Sequence, residues 1–172
     1  MKTPKYPIQP ALQKVIQHSR LPVDSVELGR MRNISRANIL HILVKRSDRW
    51  LSILSVRGDD PLLGKKYRCY QDDFPLGFLS WFPKALEDFR KPPAEGGLHA
   101  GAMSSIDYDI EGEMLCVQRT VEGYEVLNRS RNASLGTLYR PVSIEFTENF
   151  LYQEGLLNLI QKLGDQYDKG LI

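Results

Sequence analysis

Residues 38–46, NILHILVKR, carry apolar side chains at both alternating sets of positions. Leu40, Ile42 and Val44 fall on one face of a strand, and Ile39 and Leu43 on the other. Such a strand needs cover on both sides. Ser47-Asp48 reads as a tight turn, and residues 49–57, RWLSILSVR, as the returning strand of a hairpin. Upstream, Val26, Leu28 and Met31 mark a weaker first strand that begins near Val23. Downstream, residues 58–64 form a turn-rich loop and residues 65–71 a fourth strand. The period then changes. Over residues 74–90, Phe78, Leu79, Phe82, Leu86 and Phe89 recur at helical spacing, and Pro83 is expected to kink or restart that helix.

The same order recurs in the second half. Strands are predicted over 104–110, 113–120, 124–131 and 137–145, with a turn at Glu122-Gly123 and a loop over 132–136. Pro141 predicts an edge position or a bulge for the last of them. A helix follows over 147–167, capped by Thr147, with Leu151, Leu156, Leu159, Ile160 and Leu163 as its apolar stripe. Laid over each other, GKKYRCYQDDFPLGFL (64–79) and GTLYRPVSIEFTENFL (136–151) match at Gly64/Gly136, Tyr67/Tyr139, Arg68/Arg140, Phe74/Phe146, Phe78/Phe150 and Leu79/Leu151. The expected fold class is α+β: two ββββα repeats, 23–91 and 104–169, intertwined into one pseudo-twofold domain. Residues 92–103, rich in proline and glycine, are the linker. Residues 1–22 precede the repeats. Pro4, Pro7 and Pro10 predict an extended arm, and Leu12, Val15 and Ile16 at i, i+3, i+4 predict a short amphipathic helix over 11–19.

Composition changes this picture in one respect. The net charge of +2 hides an uneven distribution. From Arg30 to Arg68 there are ten basic and three acidic residues, while the remainder of the chain is net acidic. No apolar run is long enough for a membrane helix, and the N-terminal residues lack the apolar stretch of a secretory signal. Cys69 and Cys116 lie in predicted strands without metal-ligand spacing, so buried free thiols in a reducing, cytoplasmic setting are expected. There is no phosphate-binding glycine loop, no GxSxG and no metal-binding pattern. Asp72-Asp73 and Glu87-Asp88 read as solvated or capping residues. No catalytic residue, metal or cofactor is therefore expected.

The element order over residues 23–167, together with KRSDRWLSILSV (45–56), resembles the PUR (purine-rich element binding) proteins, and the Whirly proteins are similar in topology. In PUR repeats an arginine–aromatic pair precedes an alternating strand. Trp50 takes the aromatic place, and Tyr124 in QRTVEGYEVL takes it in the second copy. Both groups bind single-stranded DNA or RNA, and the resemblance implies the same partner here.

Binding of single strands needs cations for phosphates and aromatic faces for bases. Lys45, Arg46, Arg49 and Trp50 bring both to one hairpin, with Ser52 beside Trp50 on the alternating face. Trp50 either stacks on a base or packs in a core or dimer seam. Arg119 and Tyr124 form the second-repeat copy. Arg68, repeated as Arg140 beside Tyr67 and Tyr139, is either a phosphate contact or a structural anchor. Arg57, Lys65 and Lys66 are outlying phosphate candidates. The function expected from these residues is non-enzymatic binding of single-stranded nucleic acid. The alternative is a protein–protein or dimerisation scaffold. The second apolar face of residues 38–46 calls either for a homodimer or for cover by the N-terminal segment.

Overall fold

The computed structural model describes residues 3–58, 66–134, 136 and 138–172. It contains two four-stranded antiparallel sheets, each followed by a helix. The chain divides into two compact units, Ala11–Leu76 and Met1–Pro10 with Gly77–Ile172.

The unit of residues 11–76 is a meander of β1 (Ser25–Asn33), β2 (Ile39–Arg46), β3 (Trp50–Arg57) and β4 (Arg68–Pro75), in that order. Ser47 and Asp48 both adopt positive φ (52° and 56°), and Arg49 N–H donates to the Arg46 carbonyl (3.1 Å). Two left-handed residues match the twist of a tight hairpin, so the predicted turn forms as expected. The register sorts the side chains into two faces. Leu40, Ile42, Val44, Arg46, Trp50, Ser52, Leu54, Val56, Gln71 and Asp73 share one, whereas His41, Leu43, Lys45, Leu51, Ile53 and Phe74 share the other.

The first of these faces is covered from within the unit. Val15 is buried against Leu40, Ile42, Val44, Leu54 and Val56, with Leu21 at the margin. Residues 11–19 form no helix, contrary to the periodicity. A nine-residue helix is marginal by itself, and here the backbone of the segment has other partners. The Gln13 carbonyl accepts from Arg46 Nη2 (2.6 Å), and Val15 N–H donates to Gln71 Oε1 (2.8 Å). His18 N–H donates to the Tyr67 hydroxyl (3.0 Å), and the two rings stack at 5.7 Å. The segment is a strap, and Ile16, counted in the predicted apolar stripe, faces solvent.

The second unit contains α1 (Phe78–Arg90), a 3-10 turn at Pro93–Glu95, β5 (Tyr108–Ile110), β6 (Glu113–Arg119), β7 (Gly123–Asn132), β8 (Pro141–Thr147), a π-helical turn at Asn149–Gln153 and α2 (Leu156–Asp168). The helix that ends the first repeat thus belongs to the unit of the second sheet. It packs there through Phe82 against Phe146 (6.3 Å between rings) and Trp81 against Tyr108 (6.0 Å). Phe74 lies in β4 rather than in the helix. The first strand of this half shortens to β5, preceded by a single bridge between Ser104 and Gln118. Pro141 opens the edge strand β8 beside a register shift in β7, where a missing N–H does least harm. Thr147 Oγ1 accepts from Phe150 N–H (3.1 Å), as its capping role requires. The helix beyond it is interrupted at Gly155, whose φ is 101°.

Pro83 lies inside α1 without ending it. Having no N–H, it leaves the Leu79 carbonyl without its helical donor. Gly164 of α2 packs on that carbonyl. A Cβ at Gly164 would stand 2.4 Å from the Leu79 oxygen, so only glycine allows the two helices this approach.

Two ionisable side chains in the first unit oppose each other in pH dependence. Burial pushes His41 down to about 4. Its stabilising effect is complete above about pH 6.5 and is lost as pH falls towards 4, where the unfolded chain binds the extra proton. Burial, and then the neighbouring Asp73, push Asp72 up to about 7. Its effect is complete below pH 3.8, the ordinary value, and is lost as pH rises through 7. Asp72→Asn should therefore gain stability over wild type as pH rises from about 4 to about 7. The gain should stay below about 1.4 kcal/mol per pH unit, because Asp72 is only half-buried and solvent screens it. Urea unfolding at several pH values measures this. A constant difference between the two proteins would contradict it.

Candidate nucleic-acid interface

At the β2–β3 turn the Arg49 guanidinium lies 4.9 Å from the centre of the Trp50 ring. Arg49 is exposed and Trp50 half-buried, so a cation and part of an aromatic side chain are open to solvent together. Lys45 points to the opposite face and pairs with Asp48 (3.0 Å). At the far end of the same hairpin, Arg57 and Arg68 are cross-strand partners, both exposed, and Lys66 is exposed nearby. Arg68 Nη1 donates to the Tyr67 carbonyl (2.9 Å). Lys65 lies outside the described residues.

Besides Lys45, two more of the residues expected at this surface are not on it. Arg46 is 5% exposed and Ser52 fully buried. Both belong to the network that holds the strap: Arg46 Nη1 donates to Ser52 Oγ (3.0 Å), and Ser52 Oγ donates to Asp73 Oδ1 (2.6 Å). Gln71 Nε2 also donates to Asp73 (2.9 Å). Burial lowers the Arg46 pKa and Asp73 opposes that shift. A buried arginine is supported when its donors are all matched, and here it serves residues 11–22 rather than a phosphate. The outer sheet face expected to meet bases is thus the floor of the strap.

Tyr124 does not lie at an exposed surface either. It is 1% exposed and pairs with Phe146, as Leu51 pairs with Phe74. Its counterpart in the first repeat is therefore Leu51, and the residue equivalent to Trp50 is Gly123. A slip of one residue moves a side chain to the other face of a strand. The repeated tyrosines Tyr67 and Tyr139 act as anchors, the second donating to the Arg129 carbonyl (2.8 Å).

Burying Tyr124 builds a cluster that the sequence did not show. The Tyr124 ring lies 5.3 Å from Phe89 near the end of α1. Arg119 lies over both rings, 5.3 Å from Tyr124 and 5.4 Å from Phe89. The next residue of α1, Arg90, lies 3.7 Å over the Tyr152 ring. Burial raises the Tyr152 hydroxyl pKa, and Arg90 opposes the shift. Cations are favoured at this helix end by the helix dipole. Among the described residues, neither Arg90 nor Arg119 has a carboxylate within 4.0 Å. Arg49 has none either. The run FRK at residues 89–91 was a local signal, whereas the partners Tyr152 and Arg119 lie far away in sequence.

Among the described residues no group of three or more His, Cys, Asp or Glu is placed to hold a metal ion, and no helix is long and apolar enough to cross a membrane. Cys69 and Cys116 are free thiols, both raised in pKa by burial.

No family model and no curated protein matches the chain. Among solved structures, the crystal structures of Trypanosoma bruciei MRP1/MRP2 are similar to it at 13% identity and a TM-score of 0.40, over 87% of this chain and 98% of that one.

Proposed function

We propose that the protein is a non-enzymatic binder of single-stranded DNA or RNA. The reading rests on one observation: arginines without carboxylate partners among the described residues lie on aromatic rings, Arg49 on Trp50 and Arg90 and Arg119 on Tyr152, Phe89 and Tyr124. An arginine held by a ring keeps its edge free for a phosphate while its plane, or the ring beside it, offers a stacking surface to a base. Such contacts follow backbone charge and base faces rather than base edges, so binding is tolerant of sequence. Arg57, Arg68 and Lys66 would extend the phosphate contacts. The PUR-like and Whirly-like order of elements is on this reading put to a PUR-like use, although residues 11–22 cover most of the outer face of the first sheet and only its margin at Trp50 takes part.

The scaffold alternative drew its force from an uncovered apolar face. Residues 11–22 cover that face within the unit, and the need for a second subunit there disappears.

Trp50→Ala should weaken binding of a labelled single strand by roughly ten- to a hundred-fold, the loss expected for one stacked base. Fluorescence anisotropy measures it. Unchanged affinity, with a folded variant, would remove Trp50 from the interface.

A further inference from the structure

A cavity of about 180 Å³ opens beside the cluster at the end of α1. Phe89, Leu98 and Ala102 form its apolar wall, and Lys91, His99 and Arg119 are its basic residues. We propose that this cavity holds one nucleotide, with the base against Phe89 and the phosphate ester on Arg119, Lys91 and His99.

The walls are fixed by backbone hydrogen bonds. Leu98 N–H donates to the Asp88 carbonyl (2.8 Å), Ala102 N–H to His99 (3.1 Å) and Arg119 N–H to Met103 (2.8 Å). Helix end, loop and β6 are thereby tied into one frame. Within it Arg119 is oriented by the two rings it lies on. Its guanidinium donors have no protein acceptor among the described residues. A planar cation held by stacking presents those donors in a fixed fork, which suits phosphate. Lys91 is tied only by an exposed contact to Glu87 (3.5 Å) and has little to lose by turning to an anion. His99 is exposed, its Nδ1 3.2 Å from the Ala100 carbonyl. The volume is below the range of about 300–1,000 Å³ typical of larger ligands and suits a single planar ring system. Apolar wall and basic rim together select an anion with a flat apolar group, not a bare anion.

The assignment rests on the nucleic-acid reading for the source of its ligand, a nucleotide within a strand, but the free nucleotide tests it separately. Adenosine 5′-monophosphate, adenosine and inorganic phosphate are titrated into the full chain by ¹⁵N–¹H correlation spectroscopy. The nucleotide should shift the amides of Ala100, Gly101 and Ala102 and bind about ten-fold or more tighter than adenosine or phosphate alone. Arg119→Gln should lose about ten-fold or more, and Arg119→Lys should recover part of that loss. Nucleotide binding equal to that of phosphate, shifts elsewhere in the chain, or an Arg119→Gln affinity equal to wild type would each overturn the assignment. A labelled strand run in parallel separates the two readings. If the strand binds and the nucleotide does not, the cavity assignment fails alone. If the nucleotide binds through Arg119 and the strand does not, the cavity stands and the strand-binding reading fails.

Discussion

Glu113→Ala is expected to destabilise the protein by about 3–5 kcal/mol, the cost of breaking a buried ion pair from one side. Glu113 and Arg131 are joined in fork geometry, Nε to Oε1 at 2.5 Å and Nη2 to Oε2 at 3.3 Å. Their side chains are 4% and 5% exposed. Asn128 Nδ2 donates a further bond to Glu113 Oε1 (3.0 Å), and Arg131 Nη1 donates to the Pro10 carbonyl (2.9 Å). Removing the carboxylate therefore strands a buried guanidinium and takes from Asn128 Nδ2 its bond to Oε1. It also loosens the hold on residue 10. Replacing both charges with apolar residues of similar volume should cost much less, because no charge is then left unmatched. Urea unfolding of the two single variants and the double variant measures this. A Glu113→Ala loss below about 1 kcal/mol, as for an exposed pair, would contradict it.

Val15→Asp should release the strap. Val15 is the one strap residue fully inside the first unit's outer core, among Leu40, Ile42, Val44, Leu54 and Val56. An unpaired carboxylate there costs several kcal/mol. Against that stand a few hydrogen bonds, from Arg46 and Gln71 to Gln13, from Val15 to Gln71 and from His18 to Tyr67, each worth about 0.5–1.5 kcal/mol net or somewhat more for the charged donor. Detaching the segment costs less than burying the charge. Residues 11–22 should then be cut by protease much faster than in wild type, while the second sheet stays protected. The exposed apolar face should drive self-association, visible by sedimentation. Protease resistance equal to wild type, in a folded variant, would show that the strap is not held by Val15.

The sheets were legible in the sequence because their signals are local. Residues 38–46 and 49–57 carry branched residues on either side of a two-residue turn, and β2 and β3 differ from prediction by one residue at most. The duplicated order of strands and helix was legible for the same reason. What failed depended on partners distant in the chain. The pattern of Leu12, Val15 and Ile16 is helical in isolation, but Arg46 and Gln71 hold the same backbone out of a helix. Tyr124 looked like a copy of Trp50 because both follow a turn with a nearby arginine. Its pairing with Phe146 sets the register and sends the ring inward. Phe89 looked like the last position of a core stripe, and only the fold brings Arg119 and Tyr124 to it. Arg49 and Trp50 were found because the basic residue and its ring are adjacent in sequence.

The most direct measurement of the central claim is the affinity for a labelled single strand as a function of salt. Each phosphate neutralised contributes a slope of about −0.7 to log K against log salt on a single strand. If Arg90 and Arg119, which lie in one unit, each meet a phosphate, the slope should be about −1.4 or steeper, and Arg119→Gln should make it shallower by roughly 0.7. No binding at low salt, or an affinity that salt leaves unchanged, would contradict the account.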